Sequence, residues 1–286
     1  MPNIVPSTAS LIRPVTGWDQ IAVAARTDRG RLRERNQDTF LIADLSTGAT
    51  GLVPEVREHR VGGRGSLIAV SDGTGAGDAG EIASALVLES LYRSLATDRA
   101  CDCPVEHLRN AVRMTGARVW RHGQRHSQLR GFGATLTAVL VCSGAAHVAH
   151  VGDSRAYLLR GDRARLLTRD HTLAQALADS GGASPTTGRE AVPPHVLLHS
   201  FGPRPVVEFE LATVEIVPGD RLLVCSDGLT NKVAPIEIIR VASEEPDLGN
   251  VCRRLVEMAN ARGGEDNITV VLAGVGAPLR SGDPAP

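Results

Sequence analysis

The sequence predicts an α+β fold in which antiparallel sheets carry helices on their outer faces. Three observations lead there. The strand candidates are short, rich in Val, Ile and Leu, and separated mostly by two- to four-residue Gly/Asp/Ser turns such as "SGA" at 143–145 and "GD" at 161–162, which is meander chemistry. The helices are bunched as a pair instead of alternating with strands. Aromatic residues make up only 3% of the 286-residue chain, so Val, Leu, Ile and Ala must build the core.

The chain opens with a Pro/Ser-rich tail, residues 1–18, and closes with another, 277–286; both read as loose. Residues 19–276 read as one domain. Strand candidates follow at 20–27, 39–45 and 66–72, with 46–65 expected as a surface loop. The first helix is "AGEIASALVLESLYRSLA" (79–96). A second starts after Pro104, a good first-turn residue, and places Leu108, Ala111, Val112, Thr115 and Val119 on one apolar face. A run of strands comes next, at 134–143, 145–153, 155–160 and 163–168, followed by a helix at about 170–179. Residues 180–207, rich in Gly, Pro and Thr, look like an excursion from the compact fold, such as a lid. A strand at 220–227, a helix at 247–262 and a strand at 268–275 complete the domain.

Composition excludes several functions. Hydrophobic residues are 42% and charged residues 22%, ordinary for a globular domain. The net charge of −1 gives no global attraction to nucleic acid or an anionic membrane. No run approaches the roughly 18 apolar residues of a membrane span, and the N-terminus lacks a signal-peptide core of about 7–15 apolar residues. The five cysteines are odd in number, lack Cys-x-x-Cys spacing, and include Cys142 and Cys225 inside apolar runs. Buried thiols in a reducing, cytoplasmic compartment fit that pattern.

Two motif readings compete. In "DGTGAGDAGE", Gly75, Gly77 and Gly80 spell G-x-G-x-x-G between a strand and a helix, the context of a dinucleotide site. A parallel second strand should then follow, yet a second helix follows instead, so the glycines are read as a sharp strand-to-helix turn. The arginine-rich stretch at 117–130 could touch phosphates, or be a solvated helix end. No G-x-S-x-G, P-loop or H-E-x-x-H is present.

Three segments, "LIAVSDG" (67–73), "AHVAHVGDS" (146–154) and "LLVCSDG" (222–228), each end an apolar run on an aspartate. Taken singly, Asp-Gly is a hairpin signal, because both residues tolerate positive φ. Taken together, Asp72, Asp153 and Asp227 lie at strand ends, while Asp38 and Asp266 precede strands. In an antiparallel sheet, strand starts neighbour strand ends, so all five can gather at one edge. Each unpaired carboxylate pair about 4 Å apart would repel by roughly 4 kcal/mol at an effective dielectric of about 20. A margin of about 5–15 kcal/mol cannot carry several such terms. If they converge, hard cations must neutralise them, and oxygen-only ligands suit Mg²⁺ or Mn²⁺.

The order of segments resembles the metal-dependent protein phosphatase 2C family in its compact bacterial form. The resemblance spans residues 19–276 and rests on "GRLRERNQD" (30–38), "VSDGTGAGDAGEIAS" (70–84), "GFGATLTAVLV" (131–141), "AHVGDSRAYLLRGDRARLLTRDHTL" (149–173), "GDRLLVCSDGLTNKV" (219–233) and "GGEDNITVV" (263–271). It implies a four-layer αββα sandwich of two antiparallel sheets flanked by helix pairs, with two metal ions at one end. Asp72 would bridge them; Asp227 and Asp266 would complete one site, and the Gly73 carbonyl would serve the other. Asp38 would hold metal-bound water, Asp153 would serve a weaker third ion, and Arg33 would grip the substrate phosphate with its planar fork. The segment 180–207 falls at the family's mobile flap.

The implied activity is hydrolysis of phosphoserine and phosphothreonine in proteins, opposing a kinase. Two cations about 3.5–4 Å apart lower the pKa of a bridging water, and the resulting hydroxide attacks phosphorus without a side-chain nucleophile. Three positions depart from the family pattern: Gln37 where Glu is frequent, Thr74 where Met or His is frequent, and Gly75-Ala76-Gly77 where Gly-Gly-His is usual. None removes an expected ligand. The alternative is a non-catalytic phosphoprotein-binding module on the same fold.

Overall fold

The computed structural model describes residues 18–51, 57–97, 103–126, 131–181 and 196–276. Two antiparallel sheets form its centre. The first contains β1 (Gln20–Asp28), β4 (Arg57–Arg60), β9 (Arg155–Arg160), β10 (Arg163–Leu166), β12 (Arg221–Cys225) and β13 (Ile268–Val275), in the order β10-β9-β12-β13-β1-β4. The second contains β2 (Asp38–Asp44), β3 (Thr50–Gly51), β5 (Ser66–Thr74), β7 (Leu136–Cys142), β8 (Ala145–Val151) and β11 (Glu210–Glu215), in the order β11-β8-β7-β5-β2-β3. The short β6 (Gly133–Ala134) pairs with the end of β5.

Side-chain alternation builds the layers. On β5, Ile68 and Val70 face the other sheet, while Leu67 and Ala69 face the helices. On β13, Val271, Ala273 and Val275 point inward and Ile268, Val270 and Leu272 outward. Both faces are covered, so every residue of β7 and β13 is buried and the strands read as continuous apolar runs.

Helices α1 (Ala79–Thr97) and α2 (Pro104–Arg125) cover the second sheet; Ala83, Val87, Leu91 and Leu95 recur every fourth residue along α1 and are fully buried. The predicted α2 face, Leu108, Ala111, Val112, Thr115 and Val119, is buried as expected. The short α3 (Leu173–Asp179) follows β10, where a helix is expected at about 170–179, and the first sheet is covered by α4 (Asp227–Thr230), α5 (Pro235–Glu244) and α6 (Leu248–Ala261). The result is the four-layer αββα sandwich.

Two expectations require correction. The stretch 46–65 is not wholly loop, since β3 and β4 lie in it. β4 reads Arg-Glu-His-Arg, with no apolar signal; it is an edge strand held by its pairing with β1. The stretch 180–207 is not wholly an excursion either. Residues 182–195 lie outside the described residues, but Phe201 is fully buried against the α2 layer and its backbone pairs with Ala134. The tails 1–17 and 277–286 also lie outside the described residues.

The dinucleotide reading fails on topology. The glycine loop does join a strand to a helix, but α1 runs into α2 and all the pairings of β5 are antiparallel. Among the described residues no mononucleotide-binding βαβ unit is formed.

Candidate metal centre

β2 begins where β5 ends. The register sets Asp38 opposite Asp72, so two carboxylates face across one ladder. In the other sheet, β12 runs out at Cys225 and Asp227 follows as the first residue of α4; Asp266 stands two residues before β13, the partner of β12. Asp38 then ties the sheets together, because its Oδ2 accepts from Ser226 Oγ and from Thr269 Oγ1, each at 2.7 Å. Asp153 follows β8 and is buried; its neighbour Ser154 shares a 3.0 Å hydrogen bond with Thr135 Oγ1, which accepts from the Asp72 amide at 2.9 Å.

Asp72 is the focus of the group. Burial first, then the negative charges of Asp38, Asp227, Asp153 and Asp266, hold its carboxyl well above the ordinary aspartate value. All four named carboxylates are therefore within electrostatic reach of one side chain. Asp38 is pushed up to about 7, chiefly by burial and further by Asp227 and Asp266, against the opposing effect of its two hydroxyl donors. The structure thus brings together the five aspartates that the strand ends single out.

The Gly of each Ser-Asp-Gly has a different purpose from the hairpin expectation. Neither Gly73 nor Gly228 has positive φ. A Cβ on Gly73 would sit 2.0 Å from the Gly80 carbonyl oxygen, and one on Gly228 would sit 2.0 Å from that of Asn267. Glycine is required because another backbone presses against the residue that follows each aspartate.

The serines of the motif support the site in ways that the Asp-Gly pattern alone does not announce. Ser71 Oγ donates to Thr135 O at 2.6 Å, and Ser226 Oγ donates to Asp38. Asn267 is a further hub: its Nδ2 donates to the carbonyls of Arg29 and Arg35, and its Oδ1 accepts from the Gln37 amide, all at 2.8 Å. The repeated Ser before Asp-Gly was the available signal for the first two. No sequence signal marks Asn267. Gln37 clamps the glycine loop through Nε2, which donates to the carbonyls of Gly75 and Gly77 at 3.1 Å each. A glutamate in that position could not donate when ionised.

Arg33 reaches the group as well, though not as an unpaired cation. Its Nη2 donates to Asp266 Oδ2 at 2.8 Å, while Asp266 Oδ1 accepts from the Asn267 amide. Both Asp266 oxygens are engaged, and among the described residues no three His, Cys, Asp or Glu side chains are arranged to hold an ion. The carboxylates are grouped but not closed into a cage. Their chemistry still fits hard divalent cations: the donors are all oxygen, they repel one another, and Asp38 Oδ1 is buried without a hydrogen-bond partner among the described residues. Beside them lies a cavity of about 260 Å³ whose lining includes Asp153, Arg155, Asp170, Asp227 and Asn231. The Arg155 guanidinium is fixed there by a two-pronged pairing with Asp170 at 2.9 and 2.7 Å.

The protein phosphatase 2C family model matches residues 56–273. The serine/threonine protein phosphatase PstP of Mycobacterium tuberculosis is 34% identical over 252 residues, covering 88% of this chain and 44% of its own length. The chain thus spans less than half of that relative. The serine/threonine phosphatase stp of Listeria welshimeri is 32% identical over 250 residues, covering 86% of this chain and 93% of its own. Among solved structures, the M. tuberculosis PstP/Ppp phosphatase superposes with a TM-score of 0.74 at 31% identity, covering 90% of this chain and all of that one. The PstP catalytic domain in complex with two manganese ions gives 0.72 at 33% identity, with the same coverage.

Proposed function

The chain belongs to the protein phosphatase 2C family, and we infer that it hydrolyses phosphoserine and phosphothreonine in proteins with the help of Mn²⁺ or Mg²⁺. The observation that carries this reading is the combined negative charge of Asp38, Asp227, Asp153 and Asp266 acting on the buried carboxyl of Asp72. A fold does not hold such a group at one sheet edge for stability; it is a cost that bound cations remove. The PstP structure with two manganese ions supports the same stoichiometry here.

Asp72, Asp227 and Asp266 would hold one ion, Asp72 and the Gly73 carbonyl the other, and Asp153 would serve a weaker third. When bound, the ions supply Lewis acidity and a water acidic enough to act as nucleophile near neutral pH. Asp38, its Oδ2 fixed by Ser226 and Thr269, would use Oδ1 to orient such a water. Arg33, its side chain about half exposed, would leave Asp266 and take the phosphate oxygens, a planar fork on a tetrahedral anion. The structure offers no His at position 74; Thr74 stands there, exposed, so water protonates the departing serine or threonine oxygen.

Phosphorylated proteins are the substrates this chemistry implies, and a serine/threonine kinase would oppose it. Among the described residues no helix is long and apolar enough to cross a membrane. Cys142, Cys225 and Cys252 are free and buried, which agrees with a reducing, cytoplasmic compartment. Turnover of p-nitrophenyl phosphate and of a phosphothreonine peptide, with and without Mn²⁺, tests the reading. Metal-dependent turnover that Asp227→Asn abolishes supports it. Its absence in the wild-type protein leaves a phosphoprotein-binding module as the function of the fold.

A further inference from the structure

The outer face of α2 carries positive charge that the described fold does not answer. Arg118, Arg121, His122 and Arg125 recur at three- and four-residue spacing and therefore form one stripe, with His126 just beyond it. Arg121 and Arg125 are exposed, and Arg118 and His122 half-buried. The one acidic residue of the helix, Glu106, is paired with Arg109 near the other end. Among the described residues, Arg118, Arg121 and Arg125 form no ion pair; Arg121 donates only to the Ala117 carbonyl. The rings of His122 and His126 lie 4.5 Å apart. Burial, then the nearness of His126, Arg118 and Arg125, holds His122 below the ordinary histidine value, with no carboxylate among its neighbours to offset them.

The helix dipole accounts for part of this charge. Cations in a last turn are favoured, but the effect fades within that turn. Arg118 lies two turns before the helix end, out of its reach. A chain of net charge −1 has no general excess of positive charge to spread over its surface, so the stripe is a local concentration.

Its location gives it a use. The last turns of α2 rest on Phe132, where a Cβ on Gly123 would be 2.4 Å from the phenyl ring. The next residues, Gly133 and Ala134, pair with Thr74 and Gly73. The inner side of the last turns of α2 thus packs, through Phe132 and one short strand, against the residue that follows Asp72, and the stripe lies on the outer side of the same turns. A protein segment presenting a phosphorylated residue to the aspartates can extend across this end of α2. The aspartate edge itself repels acidic neighbours of that residue, and the stripe attracts them.

We propose that Arg118, Arg121 and Arg125 form a docking subsite for an acidic, Asp/Glu-rich segment of the phosphoprotein substrate, a reading that rests on the phosphatase assignment of the neighbouring site. The partner is fixed by charge complementarity and by adjacency to the site it must reach. Such contacts act on KM and on salt dependence more than on the chemical step.

Fluorescence anisotropy of a labelled, unphosphorylated Glu/Ser decapeptide tests docking without any turnover, with a Gly/Ser decapeptide as control. The full-length protein is expected to bind the Glu/Ser peptide, more weakly as salt rises, and to ignore the control. Arg121→Glu/Arg125→Glu, two exposed changes, should weaken binding at least tenfold, and Arg121→Ala/Arg125→Ala should weaken it in the same direction by less. On phosphothreonine peptides the charge-reversed variant should raise KM at least fivefold for a Glu-flanked sequence, with kcat and the Ala-flanked sequence unchanged. Equal binding by wild type and both variants, no binding of the Glu/Ser peptide, or tighter capture of phosphatidylserine vesicles than of the peptide overturns the proposal. Lack of p-nitrophenyl phosphate turnover by the wild type would overturn the phosphatase reading instead, and the anisotropy result would still decide docking.

Discussion

Asp38 and Asp72 face each other directly across the β2–β5 ladder, the first buried and the second half-buried. Directly opposed side chains have Cβ atoms about 4.5–5.5 Å apart, and like charges there destabilise a sheet. The metal-free protein therefore relieves the pair by holding protons, and that has a measurable consequence.

Asp38 has its folded pKa raised to about 7 from 3.8. Between these values the folded state binds more protons than the unfolded state. Its contribution is fully present below the unfolded value and is lost as pH rises through about 7. His150 works the other way: burial lowers it to about 3, so its contribution is lost as pH falls below 6.5. Comparison with Asp38→Asn cancels the histidine. Urea titrations of metal-free protein should show wild type losing a few kcal/mol relative to Asp38→Asn between about pH 4 and pH 8. A constant difference across that range would contradict the burial of Asp38 among the carboxylates.

Arg33 and Asp266 hold each other in the metal-free protein, although each is assigned a different ligand. An exposed pair of this kind is worth about 0–1 kcal/mol, so parting it is cheap. Arg33→Ala should weaken inhibition by inorganic phosphate at least tenfold. It should leave Mn²⁺ affinity unchanged or tighter, because Asp266 is released. Product-inhibition kinetics and metal calorimetry on the same preparations check the two halves; weaker Mn²⁺ binding with unchanged phosphate inhibition would reverse the assignment.

Gly228 and Gly77 offer a contrast between crowding and conformation. Ala at Gly228 must displace the Asn267 carbonyl 2.0 Å away, whereas Gly77 has φ 59° and nothing within 4 Å of an added Cβ. Gly228→Ala should cost about 3 kcal/mol or more and disturb Asp227 beside it. Gly77→Ala should cost about 1–2 kcal/mol and spare metal binding. Urea unfolding with a parallel Mn²⁺ titration separates them.

Gln37→Glu would restore the residue frequent in the family, yet here it removes the donor shared by the carbonyls of Gly75 and Gly77. The metal-free variant should be less stable by about 1–3 kcal/mol at neutral pH. The deficit should shrink below about pH 4, where a protonated carboxyl donates again. A deficit independent of pH would mean that the amide clamp contributes nothing.

The sheets were legible in the sequence because their strands are buried on both faces and read as unbroken Val/Ile/Leu runs, as in β7 and β13. α2 was legible from its apolar spacing. β4, β11 and α5 were not. β4 is wholly polar, and β11 is an edge strand with no buried residue. The site aspartates stood out by position, at strand ends and starts. The pairing of Arg33 with Asp266 and the hub at Asn267 join residues more than 200 positions apart, and no local pattern encodes them. The Gly of Asp-Gly was visible, but its reason, a foreign carbonyl at 2.0 Å, exists only after the sheets assemble.

The most direct test of the metal centre is calorimetric titration of Mn²⁺ into the metal-free wild type and into Asp72→Ala. Asp72 is the side chain on which the other four carboxylates converge, so the wild type should take up at least two ions per chain and the variant should lose both tight sites while remaining folded by circular dichroism. Uptake by the variant equal to that of the wild type would show that the aspartates do not share their ions through Asp72.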